Sequence, residues 1–286
     1  MKKISIKSAT SPLFSLIVGV AIIIAAFTLP TFRFSFDVSL ILTVVSLLFA
    51  ILVGFFLAGT TSNFLRFQTL IADENATLIA VYGYVTLISP EHAAKVANAI
   101  DDYLISSLDY EHLTYAQNVQ AEFTKIIATI NTINPTNDTG MALFPYMHTA
   151  KMHLYGLSQE TSLTAKRIVS ASHWVVVLSL AFLMDIIMFG LRDGTMVTSI
   201  LISILIMAIF LTLKLLDELD SNRFLTRQLS YQNPQSVFDA IGKLRYYPET
   251  SLRSQRVLVG ADKKYRLGVY SNFPHSLEKR IRVVRD

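Results

Sequence analysis

The chain has 286 residues, of which 52% are hydrophobic and only 16% charged, against about a quarter charged in soluble domains. That balance excludes an ordinary soluble globular protein. There is no cysteine, which removes disulfides, thiolate metal sites, a cysteine nucleophile and iron–sulfur ligation together.

The apolar residues gather in four runs, 13–29, 38–58, about 173–190 and 196–213. Each is long enough to cross a hydrocarbon core of about 30 Å at about 1.5 Å per residue. A backbone in lipid must satisfy its own hydrogen bonds, so all four are expected to be helices. The first run follows Lys2, Lys3 and Lys7 and could be taken for a secretion signal, but Leu29, Pro30, Thr31 and Phe32 offer no small-x-small cleavage site. It is expected to remain as a membrane helix.

Residues 62–170 are too long a connection to lack architecture. Apolar residues recur in it at helical spacing: Leu70, Ile71, Leu78 and Val81, then Ala93, Val96, Ala97, Ile100 and Leu104, then Val119, Phe123, Ile126, Ile127 and Ile130. Ser89 and Pro90 read as an N-cap and first-turn pair, and 133–140 as a turn cluster between two helical halves. The reading is of long helices that continue runs two and three, with a helical pair between them.

Lys and Arg near membrane ends set orientation. Arg66 follows run two, Lys166 and Arg167 precede run three, and Lys214, Arg223 and Arg227 follow run four. The tight hairpin loops hold only Arg33 and Arg192, each near an acid, Asp37 or Asp193. Both termini and the middle segment are expected on the cytoplasmic side of a bacterial inner membrane.

Charge also divides the soluble parts. Residues 62–170 carry six Lys and Arg against ten Asp and Glu, a net of −4, whereas 243–286 carry eleven against four, a net of +7. The stretches 253–256, 263–266 and 279–285 alternate basic with apolar residues, which suggests short strands or a loosely folded tail. Such a tail could seek anionic headgroups or the acidic middle segment, or could simply be solvated. No nucleic-acid motif accompanies the charge.

Enzyme motifs are absent. Gly54 to Gly59 leads into Thr60 and Thr61 rather than a P-loop lysine, and there is no HExxH or GxSxG. The histidines His92, His112, His148 and His153 are not at helical ligand spacing. Asp101 and Asp102 are adjacent, so on a helix they point about 100° apart and form no carboxylate couple. Neither catalysis nor a cofactor nor a metal is expected.

Two intramembrane features are sharper. Asp185 lies inside run three, where an ionisable group marks a functional site by default. It either lines a polar pathway, pairing with Thr198, Ser199 or Ser203, or sits near the outer interface and snorkels. Run two carries Ala50, Gly54 and Ala58 at four-residue spacing, a small-residue stripe that lets another helix approach. Beside it, Leu47, Ile51 and Phe55 form a bulky apolar stripe. Copies of that stripe around an axis would build a hydrophobic constriction, and the same pattern also serves ordinary helix packing.

Run two and the stretch IADENATLIAVYGYVTLISPEHAAKVANAIDDYLISSLDYE resemble the bestrophin-like domain family of prokaryotic membrane proteins. Asp73, Glu74, Ala76, Leu78, Tyr82, Pro90, Tyr103 and Glu111 carry the likeness, and after run four Leu219, Asp220, Phe224, Ser230, Pro234 and Phe238 match it more loosely, with Arg223 where a proline is usual. Val53, Gly54, Phe55 and Phe56 resemble, more distantly, the neck-lining helix of true bestrophins. The resemblance implies a ring-shaped homo-oligomer, pentameric by analogy, in the lipid bilayer, with Leu47, Ile51 and Phe55 at the neck. The run of acids that forms a calcium clasp in animal bestrophins is not continued after Asp217, Glu218 and Asp220.

The expectation is thus an all-α membrane protein with four transmembrane helices in two hairpins: residues 1–61 hold the tail and first hairpin, 62–170 a cytoplasmic helical domain, 171–216 the second hairpin, and 217–286 a basic C-terminal region. Its expected function is that of an oligomeric ion channel or channel-like protein. The alternative is a non-conducting scaffold or signalling protein whose cytoplasmic domain binds a partner.

Overall fold

A computed structural model describes residues 12–28, 30, 34, 37–109, 118–135, 137–221, 232–253, 264–271 and 278–285. Lys2, Lys3, Lys7, Arg33, Glu111, Arg223, Phe224, Arg227, Ser230 and Lys263 lie outside the described residues. The chain divides into two compact units, one of Met1–Thr60 with Ile168–Glu218, the other of Thr61–Arg167 with Leu219–Asp286.

The first unit begins with α1 (Pro12–Thr28), followed by the start of α2 (Ser39–Ile88), a helix of 50 residues shared with the second unit. α2 starts where Asp37 Oδ1 accepts the Ser39 N–H at 2.8 Å, satisfying one of the donors a helix leaves free at its N-terminus. No proline interrupts it before Pro90, which opens the next helix, where its missing N–H costs nothing. Past the second unit's insertion come two apolar helices. The helices of that insertion are α3 (Pro90–Asp109), α4 (Gln120–Asn131) and α5 (Asp138–Thr164), and the two apolar helices are α6 (Ala171–Gly190) and α7 (Met196–Asp220).

Among the described residues, α2, α6 and α7 are long and apolar enough to cross a membrane. α1, at 17 residues, spans only about 25 Å at the α-helical rise. The unit's core joins Val45, Phe49, Val53 and Phe56 of α2 to Val177, Ala181, Met184 and Met188 of α6 and Ile202 and Ile206 of α7.

The second unit packs the rest of α2 against α3, α4 and α5. Leu78, Val81, Val85 and Ile88 meet Val96, Ile100 and Leu104 of α3, Phe123, Ile126 and Ile130 of α4, and Met147 and Leu154 of α5. Leu78, Val81, Val96, Ile100, Leu104, Phe123, Ile126 and Ile130 are positions that the helical spacing singles out, whereas Val85, Ile88, Met147 and Leu154 are added by the structure. Asn137 caps α5 by accepting the Gly140 N–H at 2.6 Å, so the turn cluster does separate two helical halves.

Run three does not continue into this unit, a correction to the reading of two extended membrane helices. α5 stops at Thr164 and α6 starts afresh at Ala171, because Ser170 turns extended and accepts the His173 N–H as a new N-cap.

After residue 231 come α8 (Gln232–Ala240), β1 (Tyr246–Pro248), α9 (Glu249–Arg253), β2 (Lys264–Tyr270) and β3 (Lys279–Arg285). β1 runs parallel to β2 and β2 antiparallel to β3, in the order β1-β2-β3. The all-α class therefore needs one amendment, a small sheet in the basic region. β-branched and aromatic residues at alternate positions of YRLGVY and IRVV favour strands there. Val237, Phe238, Ile241 and Tyr246 join the core of α2–α5.

Candidate functional site

The membrane part of α2 has two unlike faces. Val45, Phe49, Val53, Phe56 and Thr60 are buried, at helical intervals. On the opposite side Leu47, Ile51 and Phe55 are 60%, 59% and 72% exposed. Ala50, Gly54 and Ala58 are exposed beside them, and a Cβ placed on Gly54 would meet nothing within 4 Å. Among the described residues of the first unit, then, both stripes are left exposed. The single face they form measures about 140° of the helix circumference at 100° per residue.

Phe56, on the buried side, has its ring centroid 5.1 Å from that of His173, while Phe55 meets it edge-on at 5.8 Å. Phe56 thus anchors the helix inward and its neighbour points outward.

Asp185 sits on α6 among packed apolar residues. Its Oδ1 is buried and has no hydrogen-bond partner among the described residues. The hydroxyls of Thr198, Ser199 and Ser203 do not bond to it. Thr198 donates to the Asp193 carboxylate, and Ser203 donates to the Ser199 carbonyl at 2.8 Å, the usual way a serine satisfies itself inside a helix.

The short link between α6 and α7 is more elaborate than charge counting suggests. Arg192 is buried, 4% exposed, and donates through Nη1 to the carbonyls of Ala25 and Ala26. These belong to the last turn of α1, where carbonyls lack helical partners and carry partial negative charge. Gly190 leaves room for the Phe34 ring, which a Cβ would strike. Around them lies a cavity of about 280 Å³ lined by Phe34, Asp37, Val38, Gly190, Leu191, Arg192 and Asp193. Both carboxylates in it are committed to helix starts. Hydrogen bonds from the Thr198 hydroxyl and the Thr195 N–H hold the Asp193 carboxyl down at about 2, and those from Ser39 lower Asp37.

In the second unit, the acidic helix and basic tail meet directly. Asp101, 8% exposed, takes both arms of Arg266, at 2.8 and 2.6 Å. Asp102, pointing elsewhere, holds exposed Lys125 at 2.6 Å. Asp109 accepts from the hydroxyls of Tyr246, at 2.9 Å, and Tyr270, and from Lys279. Burial pushes both tyrosines upward, reinforced by the Asp109 charge at Tyr246 and by the Tyr246 and Asp109 charges at Tyr270. Sequence reading placed the opposite net charges but not these pairs, which join positions far apart in the chain.

The sequence matches the Bestrophin-like domain family over residues 13–220, and the chain belongs to that family. Similar solved structures include a bacterial bestrophin homologue from Klebsiella pneumoniae, 13% identical, covering 82% of this chain and 99% of that one at a TM-score of 0.55. A single-substitution variant of that homologue matches at 13% identity, 81% and 99% coverage and the same TM-score. A structure described as a membrane protein matches at 14% identity, with 82% and 99% coverage and a TM-score of 0.55. At such identity the likeness is one of fold. No curated protein matches the sequence. The chain is a membrane protein of the bestrophin-like kind.

Proposed function

We propose that this chain is one subunit of a homo-oligomeric, channel-like membrane protein, a pentamer by resemblance, in which α2 lines the ion path. Leu47, Ile51 and Phe55 form an apolar neck, and Ala50, Gly54 and Ala58 seat the α2 of the neighbouring subunit. The observation that carries this reading is the two-stripe face of α2, uncovered within the chain in a fold shared with bestrophin homologues. Close helix approach along a small-residue stripe would set bulky side chains around an axis, and a ring of Leu, Ile and Phe gates by expelling water. Such a ring carries no charge preference.

In this reading α1 also spans, giving two hairpins in an inner membrane with both termini cytoplasmic, as Arg66, Lys166, Arg167 and Lys214 favour. Residues 62–170 and 217–286 then lie in the cytoplasm. Asp185, with a buried oxygen that finds no partner, is a polar point on the membrane unit that an ion or water chain could use.

Planar-bilayer recording from purified oligomer tests the reading. Single-channel currents are expected, and Ile51→Ser, which hydrates the constriction, should raise conductance or open probability by about tenfold, equivalent to about 1.4 kcal/mol off a dewetting barrier. A purified oligomer that passes no current, or currents indifferent to Ile51→Ser and Phe55→Ala, would overturn it.

A further inference from the structure

Among the described residues of the C-terminal region, basic side chains are either paired or free. Arg266, Lys279 and Arg245 are paired with Asp101, Asp109 and Asp239, and Lys243 donates to Asn98. Arg280, Arg282 and Arg285 on β3 are exposed and make no ion pair or side-chain hydrogen bond among the described residues. Among the described residues Lys264 at the start of β2, opposite Arg285, is exposed and unpaired as well, so the unspent positive charge gathers on β3 and that adjoining end of β2.

That strand is also a sheet edge. β3 pairs with β2 alone, and no described strand lies on its other side, so its outer backbone donors and acceptors form a template for another strand. Its side chains alternate. Directly opposite residues share a face, so Ile281 lies on the face of its partner Gly268 and Val283 on that of Arg266, while Arg280 and Arg282 lie on the face of Val269 and Leu267. The first face is held against α3 through Arg266 and Tyr270, yet at the edge Ile281 and Val283 remain 45% and 53% exposed. Over 280–283 one face of the edge offers uncovered apolar side chains and the other offers Arg280 and Arg282, with Arg285 farther along on the apolar face, opposite Lys264.

We infer that the open edge of β3 takes up, as a fourth strand, an extended peptide segment in which acidic and apolar side chains alternate. Acidic residues would pair across the edge with Arg280 and Arg282, and apolar ones would cover Ile281 and Val283, while the main chains bond as in other strand additions. A second copy of β3 is the wrong occupant, since arginine-rich strands side by side set like charges opposite one another. The arginines thus bar self-association while admitting an acidic strand.

The test uses the full chain in neutral-lipid nanodiscs and a short fluorescent peptide of alternating Glu and Val, followed by anisotropy. Two controls accompany it: the same peptide N-methylated at alternate residues, which keeps the charge but cannot add as a strand, and a Lys and Val counterpart. Binding of the acidic peptide alone is expected. Arg280→Glu with Arg282→Glu should weaken it by about tenfold, as for two charge pairs at a partly exposed interface, and raised salt should weaken it as well. Since both arginines are exposed, the double variant should keep the parent circular dichroism, and Arg280→Gln with Arg282→Gln should give an intermediate loss. Equal binding of the N-methylated peptide, or indifference to both double variants, overturns the proposal. So does arginine-dependent capture of phosphatidylserine vesicles without peptide binding, which would make the strand a lipid contact.

Discussion

The two units of this protein hold themselves together by different means. In the first, the recorded polar bonds are mostly local: Thr43, Thr60, Ser179 and Ser203 return their hydroxyls to carbonyls four residues back, and packing joins the helices. In the second, charged and phenolic groups reach across the sequence, with Arg266 on Asp101, Lys279 on Asp109 and Arg66 on Glu160. The difference follows from the surroundings. In lipid a large apolar side chain such as Phe55 can stay uncovered at no cost and a polar one must satisfy itself at once, whereas in water apolar surface must be covered and long polar ties can lock the elements that cover it.

The comparison can be broken where the polar ties are deepest. Asp101→Ala strips a mostly buried Arg266 of its carboxylate (side-chain exposure 13% and 12%), and should cost about 3 kcal/mol, the range for removing one partner of a buried pair. Thermal unfolding followed by circular dichroism should show the second unit melting early, and an unchanged midpoint would show that α3 and the sheet do not depend on the pair.

A smaller effect is expected at Asp109. Tyr246→Phe removes one hydroxyl donor to it, worth about 1 kcal/mol. The tyrosines also make this region sensitive to alkali, with a definite sign. In the fold both hold their protons beyond their ordinary value of 10.0, so the neutral form is favoured, stability is full below that pH, and it falls as pH rises through 10 because only the unfolded chain ionises. Tyrosinate absorbance should appear together with unfolding, and Tyr246→Phe with Tyr270→Phe should flatten the alkaline limb.

Exposed ties should matter least. Asp102→Ala breaks a pair in which both side chains are more than half exposed, and the midpoint should shift by less than about 0.5 kcal/mol equivalent. In the membrane unit the counterpart is Phe55→Ala, which should leave unfolding in detergent almost unchanged because the ring is 72% exposed, yet should alter conductance. A large loss of stability in the isolated monomer would mean that Phe55 is packed within the chain.

The apolar runs marked the starts of three membrane-length helices to within about two residues, and 3.6-residue spacing picked out the cores of α3 and α4, because burial writes itself into nearest neighbours along a helix. What escaped was decided at longer range. Asp101 carried no local sign of its partner, since Arg266 lies in a strand far down the chain, and the alternation of basic with apolar residues over 263–266 and 279–285 left short strands and a loose tail both open. The break between α5 and α6 turns on one cap, Ser170, in a stretch otherwise compatible with helix. At the candidate site, the stripes of α2 were legible as a pattern. That both are left exposed among the described residues required coordinates. Arg192 carried no warning beyond being a cation in a tight turn.

Arg192 also bears on how the chain is joined. α1 is tied covalently through the segment before Ser39, but it is tied a second time by Arg192 on the carbonyls of Ala25 and Ala26, by Lys214 on Ser15, and by Met207 against Gly19. The peptide link is therefore redundant for docking. A molecule severed between Thr28 and Ser39 should behave as a two-piece protein, the small fragment copurifying with the large one from detergent, and Arg192→Ala should release it.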